Sequence, residues 1–193
     1  MVSRARVRPP QPSLTDGVVR LRAPVEGDLA RIHEDGQDAQ TQRWVNVPQP
    51  YTLEAARAEL EQIIGWWADP AAPFPLSVAD AGDDLYLGMV ILFAERPGGI
   101  VELGYGVHPA ARGRGIGRRA VVLATTWAFD ALGAARVEAR TDPENLSSQR
   151  LLEKAGFTPE GIERSSREVN GRRYDMRCWA RLPGDPAPDA GTR

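Results

Sequence analysis

The sequence predicts a single α/β domain in which helices cover both faces of a mixed β-sheet. Hydrophobic periodicity places strands and helices in the order βααβββαβαββ along the chain. The segment Ala120 to Leu132 is apolar nearly all round, which is typical of a helix buried against a sheet. The chain has 193 residues, of which 42% are hydrophobic, and this is enough for one domain with a full core.

The N-terminal half of the chain is bounded by clear turn and cap signals. Thr52 is a helix N-cap, Asp69-Pro70 closes that helix, and residues 81–84 form a turn between two strands. The predicted elements are, in order, a strand Val18–Arg22, a helix Asp28–Glu34, a loop Gly36–Tyr51, a helix from Leu53 to Trp67, and strands Phe74–Asp80 and Leu85–Phe93.

The C-terminal half is predicted to end in a hairpin around Asn170-Gly171, a strong turn signal. Met176, Cys178 and Ala180 share one face of the last strand, so Cys178 is expected in the core. The predicted elements are a strand 100–107, the helix Ala120–Leu132 ended by Gly133, a strand Arg136–Thr141, a helix at about 146–155 stopped by Gly156, and hairpin strands Arg164–Val169 and Tyr174–Leu182. Residues 1–13 and 183–193 lack periodicity and are predicted to be disordered tails, which leaves 14–182 as the folded domain.

Composition excludes several classes of protein. The net charge of −2 does not indicate a nucleic-acid binder. A single cysteine excludes an intrachain disulfide, and with only two distant histidines it predicts no metal site. No run approaches the ~20 apolar residues of a membrane span, and no apolar segment follows the N-terminal arginines as in a signal peptide. We therefore expect a cytoplasmic protein with no membrane or nucleic-acid partner.

The most informative stretch is the loop that joins the strand 100–107 to the long helix. Residues 112–119 contain three glycines and four arginines. Unpaired N–H groups at a helix start attract anions, and glycines let a ligand approach the backbone. The loop therefore predicts a phosphate site, most simply one for a diphosphate.

Two familiar phosphate loops fail on spacing. A P-loop needs a lysine, and the only one in the chain, Lys154, is far away. A dinucleotide fingerprint needs a glycine where Arg118 stands.

The pattern R-x-x-G-x-G at Arg112–Gly117 resembles the acyl-CoA loop of the GNAT family of N-acetyltransferases. Three more motifs follow the family in order. Glu102–Tyr105 resembles the E-x-G-Y strand of the RimJ/RimL-type branch, Asn145–Ser148 resembles the N-x-x-S helix start, and Glu153–Phe157 resembles E-K-x-G-F. The resemblance covers about residues 15–182 and implies a mostly antiparallel central sheet with helices on both faces.

The resemblance implies acetyl-CoA as co-substrate. The strand carrying Gly104 and Gly106 is expected to splay from its neighbour at a bulge, with the pantetheine arm in the gap. Val107 would offer its N–H to the thioester carbonyl, and Asn145 would anchor the arm. The implied diphosphate ligands are the backbone amides of the loop, with the arginine side chains assisting, at Arg112, Gly113, Arg114, Gly115, Ile116 and Gly117.

Two residues are candidates for the chemistry, and each has a structural alternative. Glu102 could act as a base through water, or it could form a salt bridge, for instance with Arg140. Ser148 has the N3 spacing of a helix cap, and it could also contact the cofactor and hydrogen-bond the leaving sulfur. Many family members have, where this chain has Leu152, a tyrosine that can act as the general acid and protonate the leaving thiolate. His108 is expected at the surface rather than as a pocket base.

The predicted activity is direct transfer of acetyl from acetyl-CoA to a primary amine in a ternary complex. The acceptor is either a protein N-terminal α-amine or a small-molecule amine, and aromatic residues that could line its groove are Trp44, Tyr51, Trp66 and Trp67. With Cys178 in the core, a cysteine acyl relay is not expected. The rival hypothesis is a non-catalytic acyl-CoA sensor, supported by Leu152. Exposed strand edges are compatible with a homodimer.

Overall fold

The computed structural model describes residues 11–188 except 97 and 170. Its centre is one eight-stranded sheet with the spatial order β1-β2-β3-β4-β5-β6-β8-β7. All neighbouring strands are antiparallel except β5 and β6, which are parallel. The strands are β1 Leu14–Thr15, β2 Val19–Arg22, β3 Phe74–Asp80, β4 Tyr86–Arg96, β5 Ile100–Val107, β6 Arg136–Thr141, β7 Thr158–Val169 and β8 Arg172–Arg181.

The described residues form five α-helices, four of which contribute buried residues to the cores on the two faces of this sheet. They are α1 Leu29–Gln37, α2 Ala39–Trp44, α3 Leu53–Gly65, α4 Ile116–Leu132 and α5 Leu146–Lys154. The larger core lies under α4, where Val90, Val101 and Val137 of the sheet are fully buried. A second cluster on the opposite face joins Ile32 of α1 and Leu60 of α3 to the sheet. The predicted fold class, a mostly antiparallel sheet with helices on both faces, is confirmed.

The structure corrects the prediction that residues 36–51 form a plain loop, because α2 lies within them. Asp38 caps α2 by accepting a hydrogen bond from Thr41 N–H at 2.9 Å. No residue of α2 is buried. Since sequence periodicity detects a buried stripe, a helix without one leaves no such signal.

Other boundaries differ from the predicted ones by short extensions. The helix α4 begins at Ile116, not Ala120, and β7 begins at Thr158, not Arg164. Cys178 is half-buried and not in the core, since it faces the open side of the sheet beside Arg140. Of the predicted tails 1–13 and 183–193, residues 1–10 and 189–193 lie outside the described residues, and so does Asn170 of the predicted turn.

The strands β5 and β6 separate in the middle of the sheet. They pair only from Ile100↔Arg136 to Glu102↔Glu138, and both strands continue beyond that point. The register between β4 and β5 stays regular from Phe93↔Glu102 to Gly88↔Val107, and its irregularity lies between Phe93 and Arg96. The predicted splay is therefore present, and it arises because β5 and β6 diverge, not from a bulge in β5.

No helix within the described ranges combines the length and the apolar character that crossing a membrane requires.

Candidate functional site

The splay leaves backbone hydrogen-bonding groups of β5 without a strand partner. His108 N–H donates to Leu87 O at 2.9 Å, and alternate residues of an antiparallel strand face the same neighbour. The backbone N–H and C=O groups of residues 102, 104 and 106 therefore point toward β4, whereas those of Tyr105 and Val107 point toward β6. Since β6 pairs no further than Glu102, the N–H groups of Tyr105 and Val107 open into the gap. An extended ligand can pair with such an edge.

The loop after β5 turns the chain into α4. A short 3-10 turn, Pro109–Ala111, is followed by Gly113 and Gly115, both with φ of 75°. Gly115 is the N-cap of α4, and no side chain caps this helix. The first intrahelical bond runs from Arg119 N–H to Gly115 O, so the preceding amides of the 17-residue helix are open to an anion.

Gly117 has a packing role that the sequence did not reveal. A Cβ at this position would come within 2.7 Å of Leu151 Cδ1 and 2.9 Å of Val107 Cγ2. Any larger residue would force the side chains of Leu151 and Val107 to shift, so glycine lets α4 lie this close to α5 and to the end of β5. The gap between β5 and β6 and the start of α4 therefore meet at one place.

The four arginines of the loop have different surroundings. Arg119 pairs with Asp16 at 2.7 Å, and Arg112 is held by acceptors near α2. Arg114 is exposed and Arg118 is half-buried, and within the described part of the chain neither has a charged partner. Arg114 and Arg118 are thus the cations that remain free for a phosphate.

At the other wall of the gap, Asn145 and Ser148 start α5. Asn145 Oδ1 accepts hydrogen bonds from Ser148 N–H at 3.1 Å and from Ser147 Oγ at 2.9 Å. The capping interpretation of this pair is confirmed. Its contact with a cofactor stays a prediction.

Tyr105 is a site residue that the sequence analysis missed. Its hydroxyl lies 2.6 Å from Ser148 Oγ, which links β5 to α5 across the gap. Burial raises the pKa of Tyr105 to about 12. A tyrosine hydroxyl that is shielded from water needs a partner, but the sequence shows only that Tyr105 belongs to the E-x-G-Y motif and not which residue it contacts. Leu152, in contrast, is fully buried, so a tyrosine there would overpack the core.

Glu102 lies on the open face of the sheet, in a cluster of charges. Arg140 bonds Glu102 Oε2 at 2.6 Å and Glu163 Oε2 at 2.9 Å, and Glu138 lies 3.9 Å away. The hydrogen bond to Glu163 raises the pKa of Arg140 above its ordinary value. The structural alternative for Glu102, an ion pair with Arg140, is therefore present. Glu138 also pairs with Arg136 at 2.7 Å, and Arg136 pairs in turn with Glu160. Four carboxylates thus share two guanidinium groups, and the surplus negative charge favours a cation nearby.

The expectation that His108 lies at the surface is wrong. Only 4% of His108 is exposed, and its Nδ1 accepts hydrogen bonds from Arg31 at 2.8 Å and from Ala110 N–H at 3.3 Å. Nε2 therefore carries the proton; it lies 3.2 Å from Glu34 but is not aligned for a hydrogen bond. Burial, together with Arg31, lowers the pKa of His108. The residue is a neutral structural cap of the loop.

The aromatic residues expected around an acceptor divide into two groups. Tyr51 is 5% exposed and donates to Glu59 at 2.6 Å, and Trp67 donates to Pro75 O at 3.0 Å against the main core. Trp44 ends α2, where Arg43 lies over its ring and Arg167 of β7 bonds its carbonyl. Trp44 is thus the aromatic residue placed between α2 and β7. Among the described residues, no group of His, Cys, Asp or Glu side chains is arranged to hold a metal ion.

Comparisons with known proteins agree with this geometry. A model of the acetyltransferase (GNAT) domain matches residues 19–158. The chain is 39% identical over 114 residues to the probable N-acetyltransferase YjcK of Bacillus subtilis, which covers 58% of this chain and 63% of that protein. For two further curated relatives the matched share of their length is 49% and 45%, so the chain spans roughly half of the relatives it matches.

Two solved structures show the same fold. The structure of Mycobacterium smegmatis RimJ in complex with CoA-disulfide has a TM-score of 0.75 at 21% identity and covers 86% of this chain and 83% of its own. The Vibrio cholerae spermidine N-acetyltransferase in complex with CoA and spermine has a TM-score of 0.72 at 23% identity and covers 86% and 96%.

Proposed function

This chain belongs to the GNAT acetyltransferase family, and from that premise we propose that it transfers acetyl from acetyl-CoA to a primary amine. One observation carries the proposal: the gap between β5 and β6 leads directly to the uncapped N-terminus of α4. A diphosphate with a long flexible arm fits this arrangement, because the helix start attracts the anion and the open strand edge can pair with amides of the arm.

For the co-substrate we assign the diphosphate to the backbone amides of residues 113–117, assisted by Arg114 and Arg118. The arm would lie in the gap, where Val107 N–H would donate to the thioester carbonyl and so stabilise the negative charge that develops on its oxygen. Asn145 would anchor the arm from the start of α5. The RimJ structure, which has the same fold, contains CoA-disulfide, and this supports CoA as the co-substrate.

In the reaction, the neutral amine nitrogen forms a bond to the thioester carbon while the carbon–sulfur bond breaks. Glu102 would accept the amine proton, directly or through a water, because its carboxylate faces the open side of the sheet and is 36% exposed. The surplus negative charge around Arg140 would attract the incoming ammonium.

Ser148 would donate a hydrogen bond to the leaving sulfur. Tyr105 is less suited than Ser148 to this role, because its hydroxyl is engaged with Ser148 Oγ at 2.6 Å and burial raises its pKa to about 12. The phenol is instead a hydrogen-bond partner that orients Ser148, and the weakly basic thiolate needs no stronger acid.

The acceptor is a protein N-terminal α-amine, as in the RimJ/RimL-type branch, or a small-molecule amine. The spermidine enzyme, a fold neighbour, represents the small-molecule class. An α-amine with a pKa near ~8 needs less help from a base than a lysine near ~10.4, which suits the ion-paired Glu102. We expect a cytoplasmic enzyme, and the exposed edge strand β7 is the place where a homodimer would form.

The experiment is a screen of purified protein with acetyl-CoA against N-terminal peptides, polyamines, aminoglycosides and amino acids, with free thiol as the readout. We expect thiol release that depends on one amine class. Tight CoA binding without turnover on any amine would instead support the rival, a non-catalytic acyl-CoA sensor, for which the buried Leu152 in the usual tyrosine position is the supporting observation.

A further inference from the structure

The helix α2 has little to stabilise it on its own. It contains six residues, and none of them is buried. Short helices are unstable in water unless tertiary contacts hold them. The question is therefore what holds α2 in place.

The guanidinium of Arg112 reaches α2 from the loop after β5. Its Nε donates to Val107 O at 3.0 Å. One terminal nitrogen lies 2.7 Å from Asp38 Oδ2 and 3.0 Å from Gln40 Oε1. The other lies 2.8 Å from Thr41 Oγ1 and 3.8 Å from Asp35. Each of the three guanidinium nitrogens thus has an acceptor within about 3 Å.

The charge state of this cluster supports a lasting tie. Partial burial of Asp38 acts against ionisation, but the hydrogen bonds from Thr41 N–H and from Arg112 together lower its pKa. Thr41 Oγ1 donates its hydrogen to Asp35 at 2.7 Å, which leaves the lone pairs of the same oxygen to accept the hydrogen bond from Arg112. The Arg112 side chain is 28% exposed, which limits screening by water.

Gln42 Nε2 of α2 donates to Gly36 O of α1 at 2.9 Å. Two further ties of α2 cross the cleft, the space that separates it from α5 and β7. Arg43 pairs with Glu144 before α5 at 3.0 Å, and Arg167 of β7 donates to Trp44 O at 3.2 Å. Arg43 and Glu144 are 60% and 76% exposed, so their pair contributes little. The helix α2 therefore spans from the loop after β5 to α5 and β7, and Arg112 is the charged group that joins it to that loop.

We propose that Arg112 is a positioning residue that fastens α2 across the acceptor side of the cleft, and that its side chain is not a ligand of the diphosphate. The amine site is then complete only when the loop after β5 is in place. This proposal rests on the proposed function for the identity of the amine site, but the attachment of α2 is independent of it.

The test compares Arg112→Ala with Arg114→Ala, since the two arginines lie on the same loop and only Arg112 has these partners. Hydrogen exchange is measured for the amides of Gln42 and Val45, which bond to Asp38 O and Thr41 O. Arg112→Ala should raise their exchange by about tenfold or more, whereas Arg114→Ala should leave it unchanged.

Binding of CoA is then titrated at several salt concentrations. Arg114→Ala should lower the salt dependence of the dissociation constant, and Arg112→Ala should not, because a cation that contacts no phosphate adds nothing to the ionic attraction. With an amine acceptor, Arg112→Ala should raise the acceptor KM by about fivefold or more with kcat within about twofold. Arg112→Lys should not restore the KM, since an ammonium lacks the planar fork.

A second variant covers the case in which Arg112→Ala does not fold. Asp38→Asn retains an N-cap for α2 but removes the charge that Arg112 faces, so it should reproduce the faster exchange. Unchanged exchange in α2, with a smaller salt dependence in Arg112→Ala, would overturn the proposal and make Arg112 a phosphate ligand. If no variant affected CoA binding, the assignment of the diphosphate loop would fail, while the exchange data would still decide whether Arg112 holds α2.

Discussion

Gly115 offers a direct test of the diphosphate site, because the same helix provides a matched control. Gly115 and Gly133 cap the two ends of α4 with φ of 75° and 64°. A Cβ at either position would meet no protein atom within 4 Å. Replacing either glycine by alanine should therefore cost only the strain of a left-handed residue, about 1–2 kcal/mol of folding stability.

The two variants should differ in CoA binding. Only Gly115 lies where the diphosphate is proposed to meet the backbone, so Gly115→Ala should weaken CoA by about tenfold or more, at least ~1.4 kcal/mol. Gly133→Ala should leave the dissociation constant within about twofold, and Gly115→Val should have a larger effect than Gly115→Ala.

Isothermal titration with CoA is the assay, at a temperature where thermal melts show every variant folded. A folded Gly115→Ala variant whose dissociation constant stayed within about twofold of the wild-type value would refute the assignment of the loop. Equal losses in both variants would show that general destabilisation of α4, and not the backbone approach, controls the affinity.

Three further predictions concern the chemistry and the loop. Ser148→Ala should lower kcat with little change in CoA affinity, and Tyr105→Phe should lower kcat by a smaller factor. If the two variants lost only thermal stability, both residues would be structural. Glu102→Gln should cut kcat by about tenfold or more near pH 7, and by less at higher pH, where free amine accumulates. The control Glu163→Gln should leave kcat unchanged. If Glu102→Gln kept the wild-type kcat over about pH 6–9, Glu102 would be a structural residue. His108 has a lowered pKa in the folded protein, so the unfolded chain binds its proton first and the unfolding free energy should fall as pH drops below about 6.5. Denaturant titrations of wild type and His108→Gln check this, and an equal pH dependence in both would contradict it.

The parts of the fold that the sequence predicts well are those with local patterns. The strands Phe74–Asp80, Ile100–Val107 and Arg136–Thr141 have the predicted bounds, because their alternation and flanking turns are contained in a few residues. The glycine that ends α4 is also local, since a left-handed residue stops a helix wherever it stands.

The parts that were missed depend on contacts between distant residues. The helix α2 has no buried stripe and is held by Arg112, about 70 positions along the chain, so no local window could reveal it. The contact of Tyr105 with Ser148 and the burial of His108 under Arg31 likewise exist only once the sheet has formed. Motif spacing located the candidate site, but it could not tell which arginines of the loop form ion pairs within the protein.

In the complex that we propose, CoA lies in the gap between β5 and β6 with its diphosphate at the start of α4. A crystal structure of the protein with CoA tests it most directly. We expect phosphate oxygens within hydrogen-bond distance of the backbone amides of residues 113–117, the arm paired with Tyr105 and Val107, and the Arg112 guanidinium still bound to Asp38 and Thr41. A diphosphate bound away from this loop, or an arm outside the gap, would contradict the account.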